Sequence, residues 1–289
     1  MLYSQRNQLI ETLDDCTLLA IVGPTASGKT ELALRVAAAI PAEIICADSR
    51  TVYKGLDVGT AKPSAFEQSQ VPHHGLDIVT PDQTFSAAEF QRYAQQWIAD
   101  IRKRDKLPII VGGTGLYVEA LLYDYQFGQP IDQERREVLE GMTLEALHKY
   151  CVLNNIELPE NYKNRRYVIR AIERAEAAAP QGPTKSQQLP PQSRLIGLNP
   201  GSDALRARIT ARAQAIFNGN VIEEAKRAAS QYGWGAPGLS GNIYPIIKQL
   251  IRGELTQEQA IEQFITSDWR LAKRQRTWWR RDEHIQWYE

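Results

Sequence analysis

Residues 18–40 read LLAIVGPTASGKTELALRVAAAI. Leu18–Val22 is an apolar run closed by a glycine, and Glu31–Ile40 carries leucines, a valine and alanines at helical spacing. The order is therefore strand, glycine-rich turn, helix. Within it Gly23, Pro24, Thr25, Ala26, Ser27, Gly28, Lys29 and Thr30 fit GxxxxGK followed by Ser or Thr, in the strand-to-helix context where that pattern has a mechanism. Loop amides and the positive end of the helix form an anion nest, Lys29 adds a point charge, and the Thr30 hydroxyl is a ligand for Mg²⁺. The motif implies capture of a di- or triphosphate, ATP included. It does not imply that a nucleotide is split.

Outward from this stretch, a second strand is expected at Glu43–Ala47 and a loop through Pro63, Pro72 and Pro81. A helix is expected over Ser86–Lys103, where Phe90, Tyr93, Trp97 and Ile101 recur every three or four residues, and a buried strand in KLPIIVGGTG (106–115). Strands alternating with helices specify the α/β class, a P-loop-type parallel sheet flanked by helices. From about Ile131 the pattern turns to helices alone, at Gln133–Glu140, Leu144–Leu153 and Tyr162–Ala179. Residues 180–193, with four prolines and Leu189 as the one bulky apolar residue, read as a linker or exposed loop. A strand at Arg194–Leu198, a helix capped by Ser202 and running to about Phe217, and further helices to about Arg276 complete the chain. The expected organisation is a P-loop core (1–130), a helical insertion (131–179), the linker or loop (180–193) and a helical C-terminal part (194–289) that completes the core.

At roughly 100–200 residues per domain, 289 residues allow one large or two modest domains. A content of 43% hydrophobic and 24% charged residues excludes disordered, collagen-like and coiled-coil chains. Lys and Arg number 34 and so do Asp and Glu, so affinity for nucleic acid has to come from local patches. Cys16, Cys46 and Cys151 are odd in number, without CxxC spacing or a histidine at zinc-ligand spacing, which fits a reducing compartment. No apolar run approaches the ~20 residues of a membrane span. A cytoplasmic protein without a membrane partner is expected.

An ordinary P-loop NTPase holds its metal with an Asp at the end of a second apolar strand. Here Ile109-Ile110-Val111 runs into Gly112-Gly113-Thr114 instead. The acid at a strand end is Asp48, after Ile44-Ile45-Cys46-Ala47. Carboxyl ends of strands face the ligand crevice of an open parallel sheet, so Asp48 and Thr114 are expected beside the phosphate loop.

The segments GPTASGKT, ADS (47–49), YKGLDVGTAKP (53–63), VPHHGLDIVTP (71–81), VGGTGLY (111–117) and LAKRQRTWWRR (271–281) occur in that order. Together they resemble the tRNA dimethylallyltransferases over most of residues 18–287. The resemblance implies transfer of a dimethylallyl group from dimethylallyl diphosphate to N6 of the adenosine 3′-adjacent to the anticodon, with release of diphosphate. The loop then grips a leaving group, and Mg²⁺, Lys29 and the loop amides stabilise the charge developing on it. By the same resemblance Asp48 is the general base that takes the N6 proton. Thr25 stands on the substrate side of the loop, and an arginine of an RIxxR pattern stands near the diphosphate. Arg208 is chosen for that place, with Arg206 open as an alternative and Arg212 one turn further on the same face.

The resemblance further implies contacts to the tRNA anticodon stem-loop from Asp48, Ser49, Arg50, Thr51 and Thr114, from Arg165, Arg166 and Arg170 in the insertion, and from Arg274, Gln275 and Arg280. Composition agrees locally. Arg270, Lys273, Arg274, Arg276, Arg280 and Arg281 are six cations within residues 270–281, with no acid among them. Trp269, Trp278 and Trp279 beside them either stack on bases or fill the core. His73 and His74 read as packing residues. The sequence departs from the family at Asn220, where a glycine is expected and a left-handed helix end is read, and at Gly241-Asn242-Ile243-Tyr244-Pro245. The protein is expected to act as a monomer. A small-molecule kinase, an enzyme prenylating free adenine nucleotides, and a non-catalytic RNA-binding module are the competing readings.

Overall fold

The computed structural model describes residues 9–127, 132–177 and 184–288. In chain order its elements begin β1 (Leu18–Val22), α1 (Lys29–Ala39), β2 (Ala42–Cys46), α2 (Ala65–Gln70), β3 (His73–His74), α3 (Ala87–Lys103), β4 (Leu107–Val111) and α4 (Gly115–Leu122). Then follow α5 (Gln133–Gly141), α6 (Leu144–Leu153), α7 (Arg165–Glu176), β5 (Ser193–Leu198), α8 (Ser202–Asn218), α9 (Val221–Tyr232), a 3₁₀ turn (Pro237–Ser240), α10 (Tyr244–Ile251), α11 (Gln257–Trp279) and β6 (Gln286–Tyr288). The chain divides into two compact units, Met1–Tyr123 with Gln187–Glu289, and Asp124–Ser186.

The first unit is built on a six-stranded sheet in the order β3-β2-β4-β1-β5-β6, and every pairing among these strands is parallel. β1, β2 and β4 are buried along their whole length, so β1 and β4 carry no charged residue, and the one charge in β2 is Glu43. From β1 the chain leaves toward β2 on one side of the sheet, whereas from β4 it leaves toward β5 on the other. That reversal opens a crevice beyond the carboxyl ends of β1 and β4. Gly112 lets the ends of β2 and β4 meet, since a Cβ there would lie 2.0 Å from the Ala47 carbonyl oxygen. A second apolar cluster joins Val52, Tyr53 and Leu56 to α8–α11 through Phe217, Val221, Leu239, Tyr244 and Phe264.

The Asp124–Ser186 unit has its own small core of Leu139, Leu147, Cys151, Val168, Ile169 and Ile172. Arg135 ties its ends together, donating to both carboxylate oxygens of Glu176 and to the Tyr150 hydroxyl.

Several boundaries differ from the sequence reading. The first helix starts at Lys29, so the phosphate-loop lysine is already helical. The strand expected at Glu43–Ala47 runs one residue earlier. Within the loop through Pro63, Pro72 and Pro81 lie α2, opened by a Ser64–Glu67 capping box, and the two-residue β3, too short for any periodicity. The helix read as Tyr162–Ala179 is Arg165–Glu176, entered through an Asn164 cap, and Ala179 lies outside the described residues. So do Ile131 and 180–183 of the boundaries assigned above. Ser202 does not cap α8. Gly201 occupies that position, and the Ser202 hydroxyl accepts from Arg276 instead. Asn220 leads into α9 at φ −89°, so no left-handed turn is needed there.

Glu43, buried inside β2, accepts hydrogen bonds from Arg104, from Lys106 (3.0 Å) and from His74 at 2.7 Å, whose ring stacks on Trp97. Burial alone would raise the Glu43 pKa, but these hydrogen bonds outweigh it and hold it down to about 2. Its ionised form therefore stabilises the fold above the ordinary carboxylate pKa, and this is lost as pH falls toward 2. Urea unfolding should show Glu43→Gln less stable than wild type by about 1–3 kcal/mol at pH 6, with the gap closing steadily between pH 4.5 and 2.5.

Candidate active site

Three loops converge beyond the carboxyl ends of β1, β2 and β4. The first is the phosphate loop, which turns through left-handed backbone at Ala26 (φ 59°) and Gly28 (φ 95°). A non-glycine residue held at positive φ costs about 1–2 kcal/mol, and here it turns loop amides inward as a nest. Lys29 is half-buried, its Nζ donating to the carbonyls of Gly23 (3.1 Å) and Pro24 (2.7 Å). Burial lowers its pKa from 10.5 to about 8, with Asp48 opposing the shift and Arg212 adding to it. A lysine poised this way recovers full charge when an anion arrives.

The second loop follows β2. The half-buried Asp48 accepts from the Arg50 amide at 2.8 Å, a turn that fixes its carboxylate, and it lies within electrostatic reach of Lys29. The third follows β4, where the Thr114 hydroxyl accepts from the Ser49 amide at 3.0 Å. Asp48, Ser49 and Thr114 are thereby brought together, with Thr51 buried behind them, its hydroxyl directed at the Asp48 carbonyl. Arg50 turns aside to the Ser240 hydroxyl at 3.1 Å.

Helices α8 and α11 close the underside of the phosphate loop, packing Leu205, Ile209 and Ala272 beneath Ala26. Arg206 and Arg208 are both exposed, and Arg208 donates to the Ser27 carbonyl at 3.1 Å. Arg212 donates to the Thr25 hydroxyl. Gln275 bridges two loops, accepting from the Thr25 amide at 2.7 Å and donating to the Gly113 carbonyl at 2.9 Å. Both ends of that side chain are spent inside the site, and the Thr25 amide is withdrawn from the anion nest.

The remaining sequence candidates lie on the surface. Arg274 and Arg280 are exposed, as are Arg270, Lys273 and Arg281. Arg276 is not free for nucleic acid, because it binds Asn199, Pro200 and Ser202. Trp279 is fully buried; Trp278 is 39% exposed, its indole lying against Gly115. Arg165, Arg166 and Arg170 are exposed on α7 of the second unit. Sequence reasoning passed over the buried Asp268 of α11 and the buried Glu224 of α9. Glu224 accepts from the amides of Asp57, Val58 and Gly59 and from Tyr244, pinning the loop that contains GTAKP. Asp268 had a signal: it occupies the Ala260–Phe264–Asp268–Ala272 stripe, where a carboxylate is out of place.

As a metal site the loop offers the Thr30 hydroxyl, and no cluster of three His, Cys, Asp or Glu side chains able to hold a metal occurs among the described residues. Such a donor set fits an ion that keeps several waters and takes its other ligands from phosphate oxygens, as Mg²⁺ does.

A model of the IPP transferase family matches residues 51–282. The chain belongs to the IPP transferase family. A tRNA dimethylallyltransferase of Anoxybacillus flavithermus is 39% identical over 94% of this chain and 90% of its own, and one of Roseiflexus is 40% identical over 91% and 90%. The crystal structure of a Bacillus halodurans tRNA isopentenylpyrophosphate transferase superposes with a TM-score of 0.71 at 35% identity, covering 94% of this chain and 89% of that one. A eukaryotic dimethylallyltransferase shares the fold, with a TM-score of 0.74 at 21% identity. With the family established, the P-loop-type sheet is its fold in this chain, and the kinase and binding-module readings fall away.

Lys29 provides a direct test of the loop. Reductive ¹³C-methylation followed by NMR should give it a titration midpoint near 8 against about 10.5 for surface lysines, and added inorganic diphosphate should raise that midpoint by at least one unit.

Proposed function

We propose that this transferase moves a dimethylallyl group from dimethylallyl diphosphate to N6 of the adenosine 3′-adjacent to the anticodon of tRNA, releasing diphosphate. The observation that carries the reading is the convergence of a half-buried carboxylate, Asp48, on a phosphate loop whose neighbouring strand β4 ends in Gly112-Gly113-Thr114 in place of a metal-holding Asp. An ordinary P-loop NTPase holds its metal with that acid. An enzyme that expels diphosphate from carbon needs a cradle for the leaving group and a base for the incoming amine. The prenyl-transferring relatives and the family match support the same chemistry.

In this mechanism the C1–O bond of the prenyl donor breaks as N6 attacks C1, and the bonding electron pair leaves with the diphosphate. The loop amides, Lys29 and Arg208 bind that anion, and the Thr30 hydroxyl would hold Mg²⁺, which neutralises part of the diphosphate charge when bound. Asp48 accepts the proton that N6 loses, keeping the new secondary amine neutral. Thr25 faces the leaving group, while Ser49, Arg50, Thr51 and Thr114 form the rim met by the nucleotide. Taking the adenine out of the anticodon stack costs a few kcal/mol, which contacts elsewhere on the RNA must offset. Arg274 and Arg280 on and beside α11, with Arg165, Arg166 and Arg170 on α7, supply charge for those contacts, whereas Gln275 acts from within by holding the loops. The protein is read as a cytoplasmic monomer. For the location, the three free thiols fit a reducing compartment.

Incubation with labelled dimethylallyl diphosphate and a choice of unmodified tRNA or AMP tests the reading, and label is expected in tRNA at the adenosine beside the anticodon. Labelling of AMP alone would sink it. Asp48→Ala should keep tRNA affinity within a few-fold and lower the single-turnover rate by ~10²–10⁴. A wild-type rate would remove Asp48 as the base.

Lys29→Ala should weaken inhibition by inorganic diphosphate. Arg274→Ala and Arg280→Ala should each reduce the slope of log tRNA affinity against log salt by about 1, leaving the preferred tRNA unchanged, because phosphate contacts position without specifying.

A further inference from the structure

We propose that Asp268 is a positioning residue for the phosphate loop, acting through Arg212 to set the direction of the Thr25 hydroxyl proton. The proposal rests on the reading of that loop as a diphosphate cradle. Asp268 is 3% exposed, on the face of α11 otherwise made of Ala260, Phe264 and Ala272. A carboxylate in such a place is costly unless neighbours compensate it. Two do so, the Asn242 side chain by a hydrogen bond and the Arg212 guanidinium at 3.9 Å from Oδ2. Oδ2 itself has no hydrogen-bond partner among the described residues, and neither does Nε of Arg212. The two charges thus face each other without the paired hydrogen bonds of a closed fork.

What Arg212 does instead is donate from Nη1 to Thr25 Oγ1. Guanidinium has donors only, whereas a hydroxyl has one proton and two lone pairs. Receiving a hydrogen bond from Arg212 commits one Thr25 lone pair and directs its proton elsewhere. The Thr25 backbone is held as well, its amide fixed on Gln275 of the same helix α11. Thr25 is therefore presented to the nest as a donor, the polarity an anionic oxygen requires. Without a counter-charge, Arg212 would be free to turn onto the anion itself, and its bond to Thr25 would be lost. Asp268 opposes this by charge while leaving the guanidinium donors unspent. Arg208, fixed on the Ser27 carbonyl, remains the neighbouring cation for the ligand.

The test is a double-mutant cycle in the full chain, with inorganic diphosphate and Mg²⁺ titrated calorimetrically into wild type, Asp268→Asn, Thr25→Val and the double variant. Asp268→Asn is expected to weaken diphosphate binding about 10-fold, the scale of one hydrogen bond to a charged group. The double variant should bind no more than about two-fold worse than Thr25→Val, because the carboxylate acts only through the hydroxyl. In the transfer reaction, Asp268→Asn should raise KM for the prenyl donor while KM for tRNA stays at the wild-type value. Equal losses with and without the Thr25 hydroxyl would assign Asp268 to the fold alone and overturn the proposal, as would wild-type affinity in Asp268→Asn. If Asp268→Asn does not fold, Arg212→Lys enters the same cycle with the same non-additivity expected, and additive losses there overturn the proposal equally. Absence of diphosphate binding by wild type is a different result, which fells the cradle reading and this proposal with it.

Discussion

Positive charge gathered in a desolvated loop is the constraint on which the rest of this molecule depends. Lys29, Arg208, Arg212 and the amino end of α1 all bear on a few residues after β1. Like charges in a poorly solvated place repel, and burial already moves Lys29 to a pKa of about 8. The loop nevertheless keeps its shape, because every cation is given an acceptor of its own. Lys29 takes the carbonyls of Gly23 and Pro24, Arg208 that of Ser27, and Arg212 the Thr25 hydroxyl. These acceptors are neutral, so they hold the cations without cancelling them. The charge at this loop is therefore oriented in advance, which is the kind of preorganisation that makes electrostatic stabilisation of an anion effective.

The same constraint explains how the two ends of the sheet differ. At the beginning of β2 a buried acid, Glu43, is surrounded by three basic side chains and closed to the outside. At the far end of the strand, Asp48 is bound to a backbone amide and remains half-buried, near the cations of the neighbouring loop. Glu43 in β2 and Asp48 in the loop after it are thus two carboxylates five residues apart, one enclosed by cations and the other half-buried at the crevice. Their surroundings, not their residue type, decide the difference.

Much of this was legible in the sequence, because strong local signals coincide with the elements that build the crevice. The strand, turn and helix at 18–40, the apolar strand before Gly112-Gly113-Thr114 and the acid after the second strand all rest on local patterns, and the loops lie together as parallel topology requires. Contacts distant in sequence were not legible. Arg212 and Gln275 reach the phosphate loop from some 190 and 250 residues away, and the choice of Arg208 among the three arginines of α8 came from the resemblance, because it depends on helix rotation that spacing alone leaves open. β3 and β6 were missed because two- and three-residue strands have no period to read. Ser202 was misread as a cap because Gly201, with no side chain to announce it, takes that position.

α11 shows why a helix this long suits the task. With 3.6 residues per turn, Ala260, Phe264, Asp268 and Ala272 form one buried stripe. Gln275, nearly two turns beyond Asp268, reaches the Thr25 amide, while Arg270, Lys273 and Arg274 lie outside on the exposed face. One continuous helix therefore carries both the groups that hold the phosphate loop and a set of exposed cations, and no hinge separates them. Displacing the helix would move Asp268 and Gln275 against the loop, so any partner that engages its exposed cations has to fit the position in which the loop is already held.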